Sequence, residues 1–179
     1  MKIDTLPEAI GLFFVLCTFL SKSLSTISLT IQPALLIKTE PRKNKVILCH
    51  GNFDVVHPGH VRHLAYAKSK AKYLIVSLTA DIHITKEKYR PHVPENIRAL
   101  NLSAFEMVDF VIIDRNKTPL KNLEIIKPDY FAKGFEYTSS GLPLATKEES
   151  KVVQSYGGEM IFTPGDIIYS STKLLNLHQ

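Results

Sequence analysis

Four histidines, one aspartate and two glycines occur within sixteen residues, directly after a short apolar run. The stretch CHGNFDVVHPGHVRHL, residues 49–64, follows Val46-Ile47-Leu48. His57 and His60 are three positions apart, a spacing that places two side chains on one side of a helix. Two imidazoles beside the free N–H groups of a helix start suit the phosphoryl oxygens of a nucleoside triphosphate, whose charge grows as pyrophosphate departs. The pair therefore predicts a phosphoryl-binding site.

The residues around this pair support it in different ways. Gly51 allows the backbone to turn closely against a ligand. A helix that begins near Pro58 or Gly59 offers its N–H groups and its dipole to an anion. For His50 and His63 we favour structural roles, in which each ring is hydrogen-bonded inside the protein.

Strands and helices alternate from Lys45 onward, and the site falls at the first strand-to-helix junction. The pattern predicts strands at 46–48, 73–80, 109–114, 129–134 and 158–163, and helices at 61–72, 95–108, 119–127 and 147–157. Such alternation implies right-handed crossovers and a parallel sheet covered on both faces. We therefore predict an α/β fold, a Rossmann-like parallel sheet of about five strands flanked by helices, with ligands beyond the carboxyl ends of the strands.

Composition limits the class of ligand. The chain has 179 residues, 45% hydrophobic and 22% charged, which is enough for one well-buried core. The net charge of +5 comes from scattered basic residues, so we favour an anionic small molecule over nucleic acid. Cys17 and Cys49 have no CxxC spacing and suggest neither a zinc site nor a disulfide, which fits a reducing cytoplasm.

An apolar leader precedes the predicted domain. The run AIGLFFVLCTFL, residues 9–20, is shorter than the roughly 20 residues that cross a bilayer, and it lacks the basic flank of a secretory signal. We favour a helix packed on its own domain or on a dimer partner; surface attachment to a membrane and a poorly ordered segment remain alternatives. Residues 1–44 are interpreted as leader and linker, and residues 45–179 as the domain.

A family resemblance extends over residues 44–176. The sequence HPGH at 57–60 is similar to the HxGH signature of the cytidylyltransferase-like nucleotidyltransferases, and GNFDVVHPGHVRHL resembles the surrounding GxFDxxHxGHxxxL pattern. Further matching elements follow in order: Asp81, Arg90-Pro91, IRALNLSAFEMVDFVI, KPDYFAKGFEY, GGEMIFTP and YSSTKLL. The likeness is to the sugar-phosphate branch typified by bacterial heptose-1-phosphate adenylyltransferases, and to the nucleotidyltransferase half of bifunctional proteins with a sugar-kinase-like half.

The resemblance implies roles for individual residues. His57 and His60 would bind the triphosphate and stabilise the transition state at the α-phosphorus, and a lysine of the first helix, Lys68 or Lys70, would neutralise phosphate charge. Asp54 and Arg98 would lie on the substrate side. The nucleotide contacts would come from the phosphate turn, from the loop after a late strand and from an anion clamp at the last helix: Gly51, Asn52, Phe53, Gly59, Lys133, Gly134, Ser170, Ser171 and Thr172.

The implied activity is transfer of AMP or CMP from ATP or CTP to a phosphorylated sugar or polyol, heptose-1-phosphate-like or glycerol-3-phosphate-like, with release of pyrophosphate. Mg²⁺ would be held mainly by the nucleotide phosphates, without a protein metal site. Phe135 stands where the family has a small or acidic residue, so ATP and CTP both remain open. A non-catalytic nucleotide-binding module or partner subunit is the alternative. We expect a cytoplasmic homodimer without nucleic-acid or membrane partners, with a sugar-kinase-like domain in the parent chain as a further possibility.

Overall fold

One sheet organises the molecule, with strand order β1-β4-β3-β2-β5-β6. The structure, a computed structural model, describes residues 13–16, 45–85, 90–134 and 143–164. The strands are β1 (Phe13–Leu16), β2 (Val46–Gly51), β3 (Tyr73–Thr79), β4 (Phe110–Asp114), β5 (Tyr130–Lys133) and β6 (Glu159–Phe162). Strands β2 to β6 are parallel to one another, and the edge strand β1 pairs antiparallel with β4. The predicted parallel α/β sheet is confirmed.

Helices cover both faces of this sheet. They are α1 (Pro58–Lys68), α2 (Glu95–Ser103), α3 (Leu120–Ile126) and α4 (Leu144–Ser155), with a short 3-10 turn at Asp81–His83. Buried residues of α1 and α2 share one hydrophobic core with the first face of the sheet. Buried residues of α3 and α4 share a second core with the opposite face. The sheet is therefore enclosed, as a parallel sheet requires.

The strands are continuous apolar runs that become polar at their carboxyl ends. In β3 the six residues from Leu74 to Thr79 are all buried, because helices pack on both of its faces. Polar side chains appear at or near the carboxyl ends of three strands: Ser77 and Asp114 are buried, and His50 is partly buried. A polar group inside a core is costly unless it is hydrogen-bonded, so these positions mark the edge at which a site can form.

Strand β2 lies at the point where the chain changes direction across the sheet. From β2 the chain moves outward through β3 to β4, then crosses back to β5 on the other side of β2 and ends at β6. The crossovers before and after this reversal use opposite faces of the sheet. Ligands of open α/β sheets bind beyond the carboxyl ends of the strands at such a switch point. Helix α1 begins there.

Residues 13–16 differ from the sequence-based expectation of a helix. They form β1, in which Phe13 pairs with Ile113 and Leu16 with Phe110. Without β1, the outer edge of β4 would carry unpaired backbone N–H and C=O groups, and aromatic and β-branched residues suit an added strand. The rest of the leader and its predicted dimer contact lie outside the described residues. Within the described ranges, no helix is long and apolar enough to span a bilayer.

Candidate functional site

The histidine pair lies at the start of α1. His57 has an extended backbone and caps the helix, and its carbonyl oxygen accepts hydrogen bonds from the backbone N–H groups of His60 (2.9 Å) and Val61 (3.2 Å). Pro58 occupies the first helical turn, where a missing N–H costs nothing. The two imidazole rings stack with centroids 3.9 Å apart and an angle of 26° between their planes. The sequence-based prediction that these rings share one side of the helix is confirmed.

The environment of His60 keeps its ring neutral. Burial, together with the neighbouring His57 and His63, lowers the pKa of His60 to about 3, although a hydrogen bond with the Val55 backbone acts in the opposite direction. A neutral ring can stack on a second imidazole without charge repulsion. Each neutral imidazole still carries one N–H donor. The pair is thus suited to donate hydrogen bonds to an anion and to gain a proton when one arrives.

A tight turn between β2 and α1 shapes the wall beside the pair. Phe53 has a positive φ of 49°, which side-chain-bearing residues rarely adopt, and its ring centroid lies 5.0 Å from that of His60. A Cβ atom on Gly51 would approach Cε2 of Phe53 to 3.2 Å, closer than ordinary contact. Gly51 therefore lets the Phe53 ring close over the strand end. Asn52 lies in the same turn, and Gly59 lies in the first turn of α1.

Arg98 is fully buried, contrary to the sequence-based expectation that it contacts substrate. Its guanidinium donates to three backbone carbonyls, those of Val93 (2.9 Å), Asn52 (2.5 Å) and Thr79 (2.9 Å). It also forms an ion pair with Asp81, with 2.5 Å between Nη2 and Oδ1. A planar guanidinium with five donors is suited to such a junction. Arg98 thus joins the turn after β2 to the end of β3.

Asp54 also holds protein groups instead of presenting its carboxylate to a substrate. Its oxygens accept from the backbone N–H groups of His92 (2.8 Å) and Val93 (3.0 Å) and from Nη1 of Arg90 (3.0 Å). The carboxylate is buried. Its role in the structure is to fasten the chain that leads into α2 to the turn that leads into α1.

Lys68 is not brought to the histidine pair, and the predicted phosphate contact is wrong for this residue. It ends α1, about 15 Å along the helix from Pro58 at 1.5 Å per residue. Its ammonium lies 2.5 Å from Oδ2 of Asp109 and donates to the carbonyl of Lys72 (2.6 Å). The same Asp109 oxygen accepts from the backbone N–H of Leu74 at 2.7 Å, so this ion pair closes the amino edge of the sheet. Lys70, two residues later and beyond the end of α1, has its ammonium 4.7 Å from the centroid of the Tyr66 ring.

The other two histidines have hydrogen-bond partners on neighbouring strands, as the sequence analysis favoured. Nδ1 of His50 lies 3.0 Å from Oγ of Ser77, and Nδ1 of His63 lies 3.1 Å from Oγ1 of Thr163. Burial lowers the pKa of each of these two histidines to about 4. Both rings are therefore neutral near pH 7. Their contacts connect strand ends to each other and to α1.

Lys133 lies at the expected edge, at the end of β5, but its ammonium is engaged. It forms an ion pair with Glu149 of α4, and both side chains are about nine-tenths buried. Its backbone carbonyl accepts from the N–H of Thr163 at 2.9 Å. Gly134 follows directly. The predicted anion clamp at residues 170–172 and the departure at Phe135 lie outside the described residues.

A reciprocal pair of carboxylates was missed by the sequence analysis. The N–H of Asp81 donates to Oε2 of Glu95 (2.7 Å), and the N–H of Glu95 donates to Oδ2 of Asp81 (3.1 Å). Arg115 then pairs with Glu95 at 2.6 Å, which adds the end of β4 to the same network. An acidic residue at the start of a helix after Pro94 is a capping signal, but its partner fourteen residues away has no local sequence signature.

A comparison with known proteins finds one family model that matches the chain across the strands and loops of this edge from β2 to β6. The model described as Cytidylyltransferase-like matches residues 48–176. The Bifunctional protein HldE of Geobacter metallireducens is 36% identical over 121 residues, which are 66% of this chain and 24% of that protein. The protein of the same name from Gluconobacter oxydans is 36% identical over 135 residues, 73% of this chain and 27% of that protein. This chain therefore spans about a quarter of the length of these relatives.

Two solved structures share the fold. The lipopolysaccharide core biosynthesis protein from Thermoplasma volcanium superposes with a TM-score of 0.59 and 21% identity, over 69% of this chain and 99% of that one. The pantoate-beta-alanine ligase from Francisella tularensis, complexed with beta-gamma ATP and beta-alanine, gives a TM-score of 0.55 and 14% identity, over 80% and 69% of the two chains. At these identities the likeness shows the fold alone.

Proposed function

Because this chain belongs to the cytidylyltransferase-like family of nucleotidyltransferases, we propose that it transfers AMP or CMP from ATP or CTP to a phosphorylated sugar or polyol. The second product is pyrophosphate. A heptose 1-phosphate is the acceptor we favour, since HldE relatives cover most of the domain, and a glycerol-3-phosphate-like polyol is the second acceptor class.

The stacked pair of His57 and His60 at the start of α1 is the observation that carries this proposal. Both rings lie at the first turn of α1, a turn that carries backbone N–H groups and begins at the switch point of the sheet. Helix starts attract phosphate through these N–H groups and through the helix dipole. Donors fixed in place before the reaction stabilise charge that develops in the transition state without reorganising.

The chemistry needs positioning more than a nucleophilic side chain. The acceptor phosphate is already an anion and attacks the α-phosphorus in line, forming a P–O bond as the bond to pyrophosphate breaks. His57 and His60 would donate hydrogen bonds to the phosphoryl oxygens, on which charge accumulates. Phe53, held by the turn at Gly51, would exclude water from one side of the pair.

Mg²⁺ fits this site as a partner of the phosphates, where it would neutralise charge on the triphosphate. Two carboxylates near the turn into α1 are already engaged by protein groups. Asp54 accepts from Arg90 and from two backbone N–H groups, and Asp81 pairs with Arg98. The ion would therefore take its ligands from phosphate oxygens and water.

The proposal extends to the larger protein. HldE relatives are named bifunctional and are about four times as long as the matched region, so we propose a sugar-kinase-like domain as the partner activity in the parent chain. A cytoplasmic homodimer remains part of the proposal.

The test is pyrophosphate release. The purified chain is incubated with Mg²⁺, with ATP or CTP, and with a panel containing a heptose 1-phosphate, hexose 1-phosphates and glycerol 3-phosphate. We expect release with at least one pair, and the choice of nucleotide identifies the base. Nucleotide binding measured by calorimetry without release for any acceptor would contradict the proposal and favour the non-catalytic module.

A further inference from the structure

A second group of polar side chains lies at the carboxyl edge, on the face of the sheet opposite α1. It consists of His50, Ser77, Thr79, Asp114 and Asn122, which we call the α3-side polar cluster. The first four come from β2, β3 and β4, and Asn122 comes from the first turn of α3. Four of the five side chains are at least nine-tenths buried, and His50 is nearly so. The phosphate-binding chemistry proposed above uses none of them.

The contacts within the cluster leave one acceptor unused. Oδ1 of Asp114 accepts from the backbone N–H and from Nδ2 of Asn116, at 2.9 and 2.8 Å. Oδ2 of the same carboxylate is buried and has no hydrogen-bond partner within the described residues. Nδ1 of His50 lies 3.9 Å from this oxygen, too far for a hydrogen bond. A buried carboxylate oxygen without a donor is costly, and burial raises the pKa of Asp114 accordingly.

The other members of the cluster are linked to one another by hydrogen-bond contacts, and His50 and Asn122 are the two that act on the Asp114 carboxylate. Nδ2 of Asn122 lies 3.5 Å from Oγ of Ser77, and Oγ1 of Thr79 lies 3.4 Å from Nε2 of His50, both long contacts with donor capacity to spare. A hydroxyl can donate to Asp114 and accept from an N–H or O–H nearby.

The charge of the cluster indicates which part of a phosphorylated acceptor it can bind, the phosphate or the hydroxyl groups. The Asp114 carboxylate repels a phosphate and the cluster contributes no cationic side chain, whereas a carboxylate beside an amide, a neutral imidazole and two hydroxyls resembles the groups that recognise sugar hydroxyls. The nearest ammonium, that of Lys133, is already paired with Glu149. The phosphate of the acceptor would therefore bind at the start of α1, and its uncharged hydroxyl-bearing part would bind at the α3-side polar cluster, on the opposite face of the sheet. Gly51 directly follows His50, so the two regions share one strand end.

We propose that the α3-side polar cluster binds a hydroxyl group of the phosphorylated acceptor through Oδ2 of Asp114 and so selects polyhydroxylated acceptors. This inference rests on the proposed function and deepens it by assigning the part of the site that recognises the sugar or polyol. His50 and Thr79 lie at the carboxyl ends of β2 and β3, the edge of the sheet at which α1 also begins. Asp114 acts as a specificity residue.

Asp114→Asn tests the proposal because it replaces the acceptor oxygen by an NH₂ donor of nearly the same shape. With an acceptor that the unaltered chain turns over, we expect KM for the acceptor to rise about tenfold or more, the usual loss for a hydrogen bond to a charged group. The KM for the nucleotide and kcat should change less than about threefold. The matched control is Asp109→Asn, at the other end of β4, which should leave the acceptor KM unchanged.

A deoxy series identifies the hydroxyl. Acceptor analogues that each lack one hydroxyl are compared in the unaltered chain and in Asp114→Asn. The analogue that lacks the bound hydroxyl should lose about tenfold with the unaltered chain and little with the variant, because the partner is already gone. If Asp114→Asn does not fold, Asn122→Ala is expected to give the same selective rise in acceptor KM.

Two results would overturn this inference alone. An unchanged acceptor KM with only a lower melting temperature would mean that the cluster is structural and holds an internal water. Equal rises in the KM values for nucleotide and acceptor would mean a general distortion of the edge. Both results leave the proposed function standing. A lack of turnover with every acceptor would remove the proposed function itself, together with this inference.

Discussion

The two ends of helix α1 carry cationic or titratable side chains in opposite situations. At the first turn, His57 and His60 stack on each other at the carboxyl edge of the sheet. At the last turn, Lys68 forms an ion pair with Asp109 and donates a hydrogen bond to the carbonyl of Lys72. The helix dipole favours anions at the first end and cations at the second. Residues eleven positions apart on one helix thus differ in role: one end is suited to a ligand, and the other fastens the helix to the sheet.

The same comparison separates histidines that lie one turn apart. His60 has an imidazole and the Phe53 ring as neighbours, whereas His63 has a hydroxyl partner on Thr163. His60 also has a hydrogen bond with the Val55 backbone, so the distinction rests on the second imidazole beside it. Two imidazoles together at a helix start indicate a shared ligand, whereas a hydroxyl partner from a distant part of the chain indicates a structural role. The first end of α1 can therefore be tested residue by residue against the second.

The largest effect should come from His60→Ala. Removing one donor to the transition state typically costs about 3 kcal/mol, so turnover should fall by about 100-fold or more with little change in folding. His63→Ala is the control, one turn further along the same helix, and should reduce turnover only mildly. Steady-state pyrophosphate release and circular dichroism measure both. Equal losses in two folded variants would contradict the division between site and structural histidines.

Arg98→Ala should lower the stability of the protein, because Arg98 holds the turn that leads into the first end of α1. Removing a buried guanidinium leaves the carbonyl of Asn52 and the carboxylate of Asp81 without their partner, and we expect a loss of about 3 kcal/mol in the free energy of unfolding. Urea denaturation measures this loss. A large fall in turnover at unchanged stability would instead support the substrate contact expected from the sequence.

Acidification should destabilise the fold through the buried histidines of α1. The pKa values of His60 and His63 are lowered by burial to about 3 and about 4, below the ordinary value near 6.5. Between about pH 4 and 6.5 the unfolded chain binds more protons, so stability falls as the pH falls through this window. His50 acts in the same direction, while Asp114, whose raised pKa favours the acid form, opposes it.

Melting temperatures at pH 7.5 and pH 5 test this expectation. The unaltered chain should melt at a lower temperature at pH 5, and His63→Gln should show a smaller difference between the two pH values. A melting temperature that is the same at both pH values, or higher at pH 5, would contradict the neutral state of these rings. Nucleotide binding should also take up protons below pH 7, because phosphate charge raises the pKa of His60.

The smallest effect is expected for Lys68→Met. Its ion pair with Asp109 is partly exposed, with the two side chains 30% and 28% accessible, so the loss of stability should stay within about 1 kcal/mol. Turnover should remain within about twofold of the unaltered chain, because the ammonium lies at the opposite edge from the histidine pair. A tenfold loss of turnover would indicate that Lys68 takes part in the reaction and would contradict the proposed difference between the two ends of α1.

Much of the fold and the centre of the site were predictable from the sequence because they depend on local patterns. Continuous apolar runs alternating with helical spacing specify a parallel sheet that is covered on both faces. His57 and His60 are three residues apart at a helix start, and that spacing alone brings their rings together. Gly51 before Phe53 likewise signals a tight turn. These conclusions need only the geometry of one strand, one turn and one helix.

Contacts between distant residues decided the rest. Nothing near Arg98 in the chain indicates that its guanidinium reaches Asn52, 46 residues away, and nothing near Lys68 indicates that it meets Asp109, 41 residues away. The edge strand at residues 13–16 required knowing that β4 has an open side. Sequence by itself determined which groups are present and which lie together on one element; tertiary structure decided which of them are used up by protein partners, because burial and hydrogen bonding depend on which strand ends meet.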